Sequence, residues 1–385
     1  MIMRTMTALG LVVLCAGAPA LGLATEFPKP LPPDQGGQIA TLPEQYPAGW
    51  AFLNLPYNRI EIRDLGSDAH TTKGELPGRD STVFLQATTR PEIYTLDTVW
   101  SRGVRGVRTD FITVYDSKTL NVTGEIVLPT KRLLVAPMSG TFVFTDNERL
   151  GLVYNFTPVS SVTVVDLVKR KVLGEIDLPG CSLLIPTGTR GFSTLCGNGT
   201  LSSVRLGADG KALGHAETAK FNDLDADPLF TENASIGAVR YFPSMLGHIQ
   251  PIDFGGDEAK LLPAWSLVTP EDVAGNWRPS GWQTIASDGR NQLFVLMQPD
   301  AHEGTQKDAA AEVWVYDVAS QKRVRRSRLV RPAVTLAFSH GAEPLLLAQT
   351  DNGIDVYDPA TGALVRRVMV DGLNAGTHML VKTVR

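Results

Sequence analysis

Phe111-Ile112-Thr113-Val114-Tyr115-Asp116, then Ser117-Lys118-Thr119-Leu120-Asn121, then Val122-Thr123-Gly124-Glu125-Ile126: a strand of β-branched and aromatic residues ends on an acid, a short polar turn follows, and a second strand begins. The unit returns along the chain. Val162 to Asp166 precede Val172-Leu173-Gly174-Glu175-Ile176, Val313 to Asp317 precede Val324, and Ile354 to Asp358 precede Leu364-Val365. Fainter copies lie at Arg59 to Asp64, Ser202 to Leu206 and His248 to Asp253. The seven anchors, Asp64, Asp116, Asp166, Leu206, Asp253, Asp317 and Asp358, stand about 40 to 65 residues apart, the length of a four-stranded blade with its loops.

Helical signal is scarce, because Gly and Pro punctuate nearly every segment and Val, Ile, Thr and aromatic residues fill the apolar positions. One blade cannot cover its own apolar faces, whereas blades stacked around an axis cover one another. The expectation is an all-β, seven-bladed propeller that uses residues 47–385 as a single domain. Two segments precede it. Arg4, the apolar run Met6 to Ala16 and the small residues at Ala18-Pro19-Ala20 or Gly22-Leu23-Ala24 read as an export signal over residues 1–24, cleaved after Ala20 or Ala24. Leu14 precedes Cys15 where a lipoprotein signal calls for a small residue. Residues 25–46, with Pro28, Pro30, Pro32, Pro33 and Pro43, read as an extended arm.

Export sets the redox setting. Cys181 and Cys196 remain after cleavage, and an oxidising compartment favours closing a hairpin-sized loop between them. The other reading is a metal-binding or reactive thiol, although no His or Cys stands at ligand spacing beside either residue. Past the signal, no uncharged apolar stretch approaches the ~20 residues needed to cross a bilayer. The net charge of -4 is spread among interspersed acids and bases, which argues against nucleic acid and anionic membrane as partners. The exception is the run Lys322, Arg323, Arg325, Arg326, Arg328 and Arg331, read either as solvated charge along a blade edge or as a docking patch for an acidic partner.

No nucleophile elbow, phosphate loop, dinucleotide fingerprint or zinc-protease His pair is present. His70, His215, His248, His302, His340 and His378 lie apart from one another. Acids in the inter-strand turns read as caps of backbone N–H groups. Two segments stand out. Trp277-Arg278-Pro279-Ser280-Gly281-Trp282-Gln283 holds two indoles and a guanidinium, a composition of blade packing with an Arg stacked on Trp or of an interface centre. Trp100-Ser101-Arg102-Gly103-Val104-Arg105-Gly106-Val107-Arg108-Thr109-Asp110 reads as a strand and loop held by Arg to Asp pairing, or as a binding element.

At these segments the sequence resembles the large subunit of the quinoprotein amine dehydrogenases. The resemblance rests on Ser101-Arg102, Arg105-Gly106 and Arg108-Thr109-Asp110, and on Trp277-Arg278-Pro279 with Gly281, Trp282 and Gln283. A third stretch, Glu303-Gly304-Thr305, Lys307 and Ala311-Glu312-Val313-Trp314-Val315, is similar to the aromatic amine branch. Cys181 and Cys196 fall where that family places a disulfide.

The resemblance implies a seven-bladed propeller with no cofactor of its own. It pairs in an α2β2 heterotetramer with a small, disulfide-rich subunit that carries tryptophan tryptophylquinone. That partner performs the deamination of a primary amine to aldehyde and ammonia, and electrons pass to a periplasmic blue-copper protein or a cytochrome. Trp265, Trp277 and Trp282 are then unmodified. The interface or substrate-entrance residues implied are Phe52, Arg102, Arg105, Arg108, Asp110, Trp277, Arg278, Trp282 and Gln283, with no catalytic or metal residue in this chain. Ser280 departs from the family's usual glycine, Gln306 from the aromatic branch's histidine, and Ser182 to Pro186 lack the aromatic and His residues common there. The alternative is a stand-alone envelope propeller, acting as a binding module or as a lactonase-like enzyme with a central metal.

Overall fold

Asp116 closes the third strand of a four-stranded antiparallel sheet, Val83–Gln86, Glu92–Arg102, Arg105–Asp116 and Val122–Leu128. In the computed structural model, which describes residues 41–384 apart from 56–58, 69–70, 79–80, 135–136, 372 and 374–379, the other six anchors occupy the same place. Each stands at or one residue past the end of the third strand of its own sheet, so the repeated unit is the third strand, the turn and the outermost strand of a blade. The expected export signal and residues 25–40 of the arm lie outside the described residues.

The acids recur because the turn needs them. Asp116 Oδ1 accepts from the N–H groups of Lys118 and Thr119 at 3.0 and 2.8 Å, and Asp166 accepts from Lys169, Asp317 from Ser320 and Asp358 from Ala360, each at 2.8 Å. Asp253 and Asp64 cap Gly255 and Gly66 likewise. Blade 4, whose anchor is Leu206, moves the cap into the turn, where Asp209 accepts from Lys211. Such Asx turns satisfy backbone donors that a two-stranded corner leaves open.

Seven sheets of this kind form seven blades. The buried apolar residues divide into seven clusters, each drawn from two successive blades. Phe84 and Ile93 of blade 2, for example, pack on Phe52, Ile60 and Ile62 of blade 1. Two-residue alternation sends successive side chains to opposite neighbours, and stacking buries both sets. The ring closes through its C-terminus: Leu380–Thr383 is the innermost strand of blade 1 and pairs antiparallel with Trp50–Leu55. The described part of the arm ties blade 1 to the Asp-capped corner of blade 2, with Leu42 N–H on the Lys118 carbonyl and the Tyr46 hydroxyl on that of Ser117.

Antiparallel blades place the connections from second to third strand, and from each fourth strand to the next blade, at one end of the ring, here called the upper end. The Asp-capped turns lie at the other. The long interval between Asp253 and Asp317 holds the helix Pro270–Ala274 at the upper end, with Thr269 and Asp272 forming a reciprocal cap.

Candidate docking face and central channel

All three segments that distinguish this sequence emerge at the upper end. In blade 2 the second and third strands overshoot their neighbours and form a ribbon whose turn is Gly103-Val104. Gly103 and Gly106 take φ of 72° and 99°, and a Cβ on Gly106 would lie 2.3 Å from Ser101 Oγ; that hydroxyl instead accepts from Val107 N–H. The root of the ribbon is a buried polar knot. Arg108 grips Asp110 through both carboxylate oxygens at 2.8 and 2.7 Å, and Thr98 donates to the same carboxylate at 2.7 Å. Arg132, from the connection to blade 3, donates to Thr98 Oγ1 at 2.7 Å and to the Ser81 carbonyl. Burial pulls the Arg132 guanidinium down to about 10, against the attraction of Asp110 and Asp97. The Arg to Asp pairing expected from sequence is therefore present, while Arg102 and Arg105 stand exposed on the ribbon with no ion pair among the described residues.

Residues 277–283 lead from the helix into blade 6. Trp277 packs on Trp314, ring centroids 5.1 Å apart, and the cation over it is Arg326 at 4.5 Å. Arg278 itself lies in the short strand Arg278–Pro279 against Gln298. Gly281 has φ 107° and stands where a Cβ would meet the Val334 carbonyl at 2.7 Å, which lets the chain turn inward. Trp282 is half-buried, with Lys307 Nζ 4.7 Å above its ring. Gln283 donates to the Val381 carbonyl at 3.0 Å and accepts from Val381 N–H at 2.7 Å, so it ties the entry of blade 6 to the closing strand. Ser280 is fully buried. Phe52 is 1% exposed and lies 4.8 Å from Phe84 between blades 1 and 2, bordering the central channel.

The channel encloses about 530 Å³ and is lined by the innermost strand of every blade. Its acid is Glu232, which no motif in the sequence marks. It accepts from Ser139 Oγ at 3.1 Å, and desolvation raises its carboxyl above the usual range against the pull of Ser139, Lys382 and Arg240. Among the described residues no group of three or more His, Cys, Asp or Glu side chains is placed to hold a metal ion; His70 and His378 lie outside those residues.

Cys181 and Cys196 form a disulfide, S–S 2.01 Å, across the first two strands of blade 4. The basic run lies on the outermost strand of blade 6, where Lys322, Arg326 and Arg328 are exposed as edge charges, while Arg323, Arg325 and Arg331 are half-buried against neighbours. In the strand Lys322–Ala333, Arg323 and Arg326 converge on Asp272 at 2.7 and 3.7 Å, and Arg326 also pairs with Glu312 at 2.8 Å. Arg323 and Arg326 stack on Trp314, Arg325 holds the Pro359 and Ala360 carbonyls of blade 7, and Arg331 reaches the buried Asp355. The physical reason is a register shift at Val315/Tyr316, which brings Arg323 and Arg326 to one face. Simple alternation would part them.

Residues 80–382 match the family model of the methylamine dehydrogenase heavy chain. The chain belongs to that family. It is 29% identical over 291 residues to the methylamine dehydrogenase heavy chain of Methylorubrum extorquens, covering 74% of this chain and 70% of that one. With the heavy chain of Paracoccus versutus it shares 29% identity over 318 residues, 80% of this chain and 72% of that one. Among solved structures, a dihydro-heme d1 dehydrogenase superposes with a TM-score of 0.56 at 16% identity over 86% of this chain and 67% of that one, a likeness of fold alone. Within this heavy chain the matched range begins at blade 2 and ends inside the closing strand. It thus holds the ribbon, the 277–283 turn and the disulfide, and leaves Phe52 outside.

Proposed function

We propose that this heavy chain is the large, quinone-free subunit of a periplasmic amine dehydrogenase, which seats a small subunit carrying tryptophan tryptophylquinone in an α2β2 assembly and frames the path of a primary amine toward it. The family match over residues 80–382 carries the reading. Two further observations support it. The segments that set this sequence apart from a generic propeller collect at one end of the ring, and the indoles there are used in packing, Trp265 on Tyr316 and Trp277 on Trp314. The quinone, in the partner, supplies the electron sink; this chain's residues bind and position. The substrate is a primary amine. Relatives of known name are methylamine enzymes, while the 303–315 stretch leans toward aromatic amines. Electrons leave to a blue-copper protein or a cytochrome.

The test is isolation of the native complex. We expect a small, Cys-rich subunit to co-purify in equal amount, with dye reduction that depends on added primary amine. A lone monomer in cells that make the folded small subunit would overturn the reading. Trp282→Ala should weaken association by more than it lowers the melting temperature, because half-buried Trp residues at such positions concentrate binding energy. A melting shift with unchanged association, measured by sedimentation, would contradict that.

A further inference from the structure

We propose that the open crevice between blades 3 and 4, at the upper rim, binds a small organic ammonium, with the cationic nitrogen on Glu217 and the apolar body against Leu178 and Leu213. The site goes beyond the heavy-chain reading, since it is built from this chain alone and shares no lining residue with the central channel.

The crevice exists because small side chains stand where another blade uses large ones. In blade 6 the pair on the third and fourth strands that faces the preceding blade is Trp314 opposite Arg326. That guanidinium lies 4.5 Å over Trp277, so the wedge between blades 5 and 6 is filled. In blade 4 the third and fourth strands are Leu201–Leu206 and Ala212–Glu217, and the pair that faces blade 3 is Val204 opposite His215. Ala212 and Gly214 add no bulk beside it. About 790 Å³ stays open there, within the range of small-molecule sites. Leu178, 4% exposed, and Leu213, 61% exposed, wall it together with the Cys181–Cys196 disulfide. Such walls gain by covering hydrocarbon.

Charge gives the ligand its sign. Asp177 and Glu217 line the crevice, and no Lys or Arg does. Glu217 is held in place, because its Oε1 accepts from Asn198 Nδ2 at 3.0 Å and from the Thr200 hydroxyl. The Thr200 hydroxyl and the Asn198 amide also keep its carboxyl below the ordinary value of 4.5, so it stays ionised. Its Oε2 has no hydrogen-bond partner among the described residues. Two residues back on the same face, His215 Nε2 is 2.6 Å from the hydroxyl of Ser202, itself 2% exposed, which fixes the imidazole as a further wall. A carboxylate already oriented, with one oxygen bare beside hydrocarbon, loses little entropy on taking a charged N–H donor.

The probe is N,N-dimethylphenethylammonium, because a tertiary amine cannot form an imine with a quinone and so is bound without being consumed. Calorimetry on the full chain in its native assembly should give one saturable site per heavy chain, and the melting temperature should rise with probe concentration. Phenethyl alcohol and phenylacetate carry the same body without the positive charge and should bind about tenfold or more weakly. Glu217→Gln should weaken binding of the ammonium by a similar factor with the probe-free melting temperature unchanged, and Leu213→Ser should weaken it through the apolar wall. Glu75→Gln, which removes an exposed carboxylate on blade 1, should match wild type. Absence of saturable binding, equal affinity for the alcohol, or undiminished binding by folded Glu217→Gln each overturns the proposal and leaves the heavy-chain reading intact. The comparison of the three probes needs no variant. Failure of a small subunit to co-purify overturns that reading and leaves this site standing.

Discussion

At the scale of the residue, Asp110 is the side chain on which the upper end of blade 2 depends. It is fully buried and accepts from Arg108, Thr98 and the Arg132 backbone N–H. Removing one partner of such a set leaves guanidiniums in low dielectric with no counter-charge, which costs far more than the pair gains in water. We expect Asp110→Ala to destabilise the fold by about 3 to 5 kcal/mol, measured by urea unfolding. The sequence allowed this role, since Arg108 and Asp110 lie two apart on one face of a strand. Arg132 was out of reach, because its place in the knot depends on a loop from 22 residues further on. Ser202 and His215 make a similar point: their 2.6 Å contact crosses two strands of blade 4, and nothing in their spacing announces it.

At the scale of the element, the Asp-capped corner is a unit that folds the same way in blade after blade. Its last residue takes a left-handed backbone whatever its identity: Leu120, Arg170 and Gln321 have φ of 55°, 53° and 55°, and Gly210 and Gly362 have 81° and 77°. The following pair is bulged in six of the blades, so the corner twists the outer strand. Capping has a pH consequence. The backbone N–H of Thr119 holds the Asp116 carboxyl below its ordinary value of 3.8, as Ser320 does for Asp317 and the Ala360 N–H for Asp358. A carboxyl depressed in the fold contributes stability in full above its unfolded value and loses it as the pH falls through the folded one. Melting temperature should therefore hold from pH 7 to about 5 and fall below about 4. Asp116→Asn should make the acid limb shallower; an identical limb in the variant would show that the corner does not contribute.

At the scale of the molecule, stability depends on closure, because each core cluster needs two blades. The closing strand is also held from blade 6, past the inner edge of blade 7, by the two Gln283 bonds to Val381. Val381 is 2% exposed within the cluster shared by blades 1 and 7, so Val381→Asp should cost about 3 kcal/mol or more, the scale of an unpaired buried charge. Val365→Asp, on the outer strand of blade 7 at 47% exposure, should change stability by less than about 0.5 kcal/mol. Thermal unfolding followed by circular dichroism compares the two, and equal effects would contradict the role given to closure.

The sequence by itself determined the repeat, its count and the fold class, because strand alternation and turn chemistry are local and act wherever they occur. It also pointed to the disulfide, since Cys181 and Cys196 stand at the two ends of a hairpin-sized segment, and the structure pairs them. Only the tertiary structure decided which cations are spent and which are free. Of the basic run, Arg323, Arg325, Arg326 and Arg331 turn inward onto neighbours, and a one-residue bulge that no composition records sets their faces. Lys322 and Arg328 of that run stay exposed, and so do Arg102 and Arg105 on the blade 2 ribbon. The reason is that register, bulges and the meeting of distant loops are fixed by the packing of whole blades, and the charge of a surface is what remains after that packing is complete.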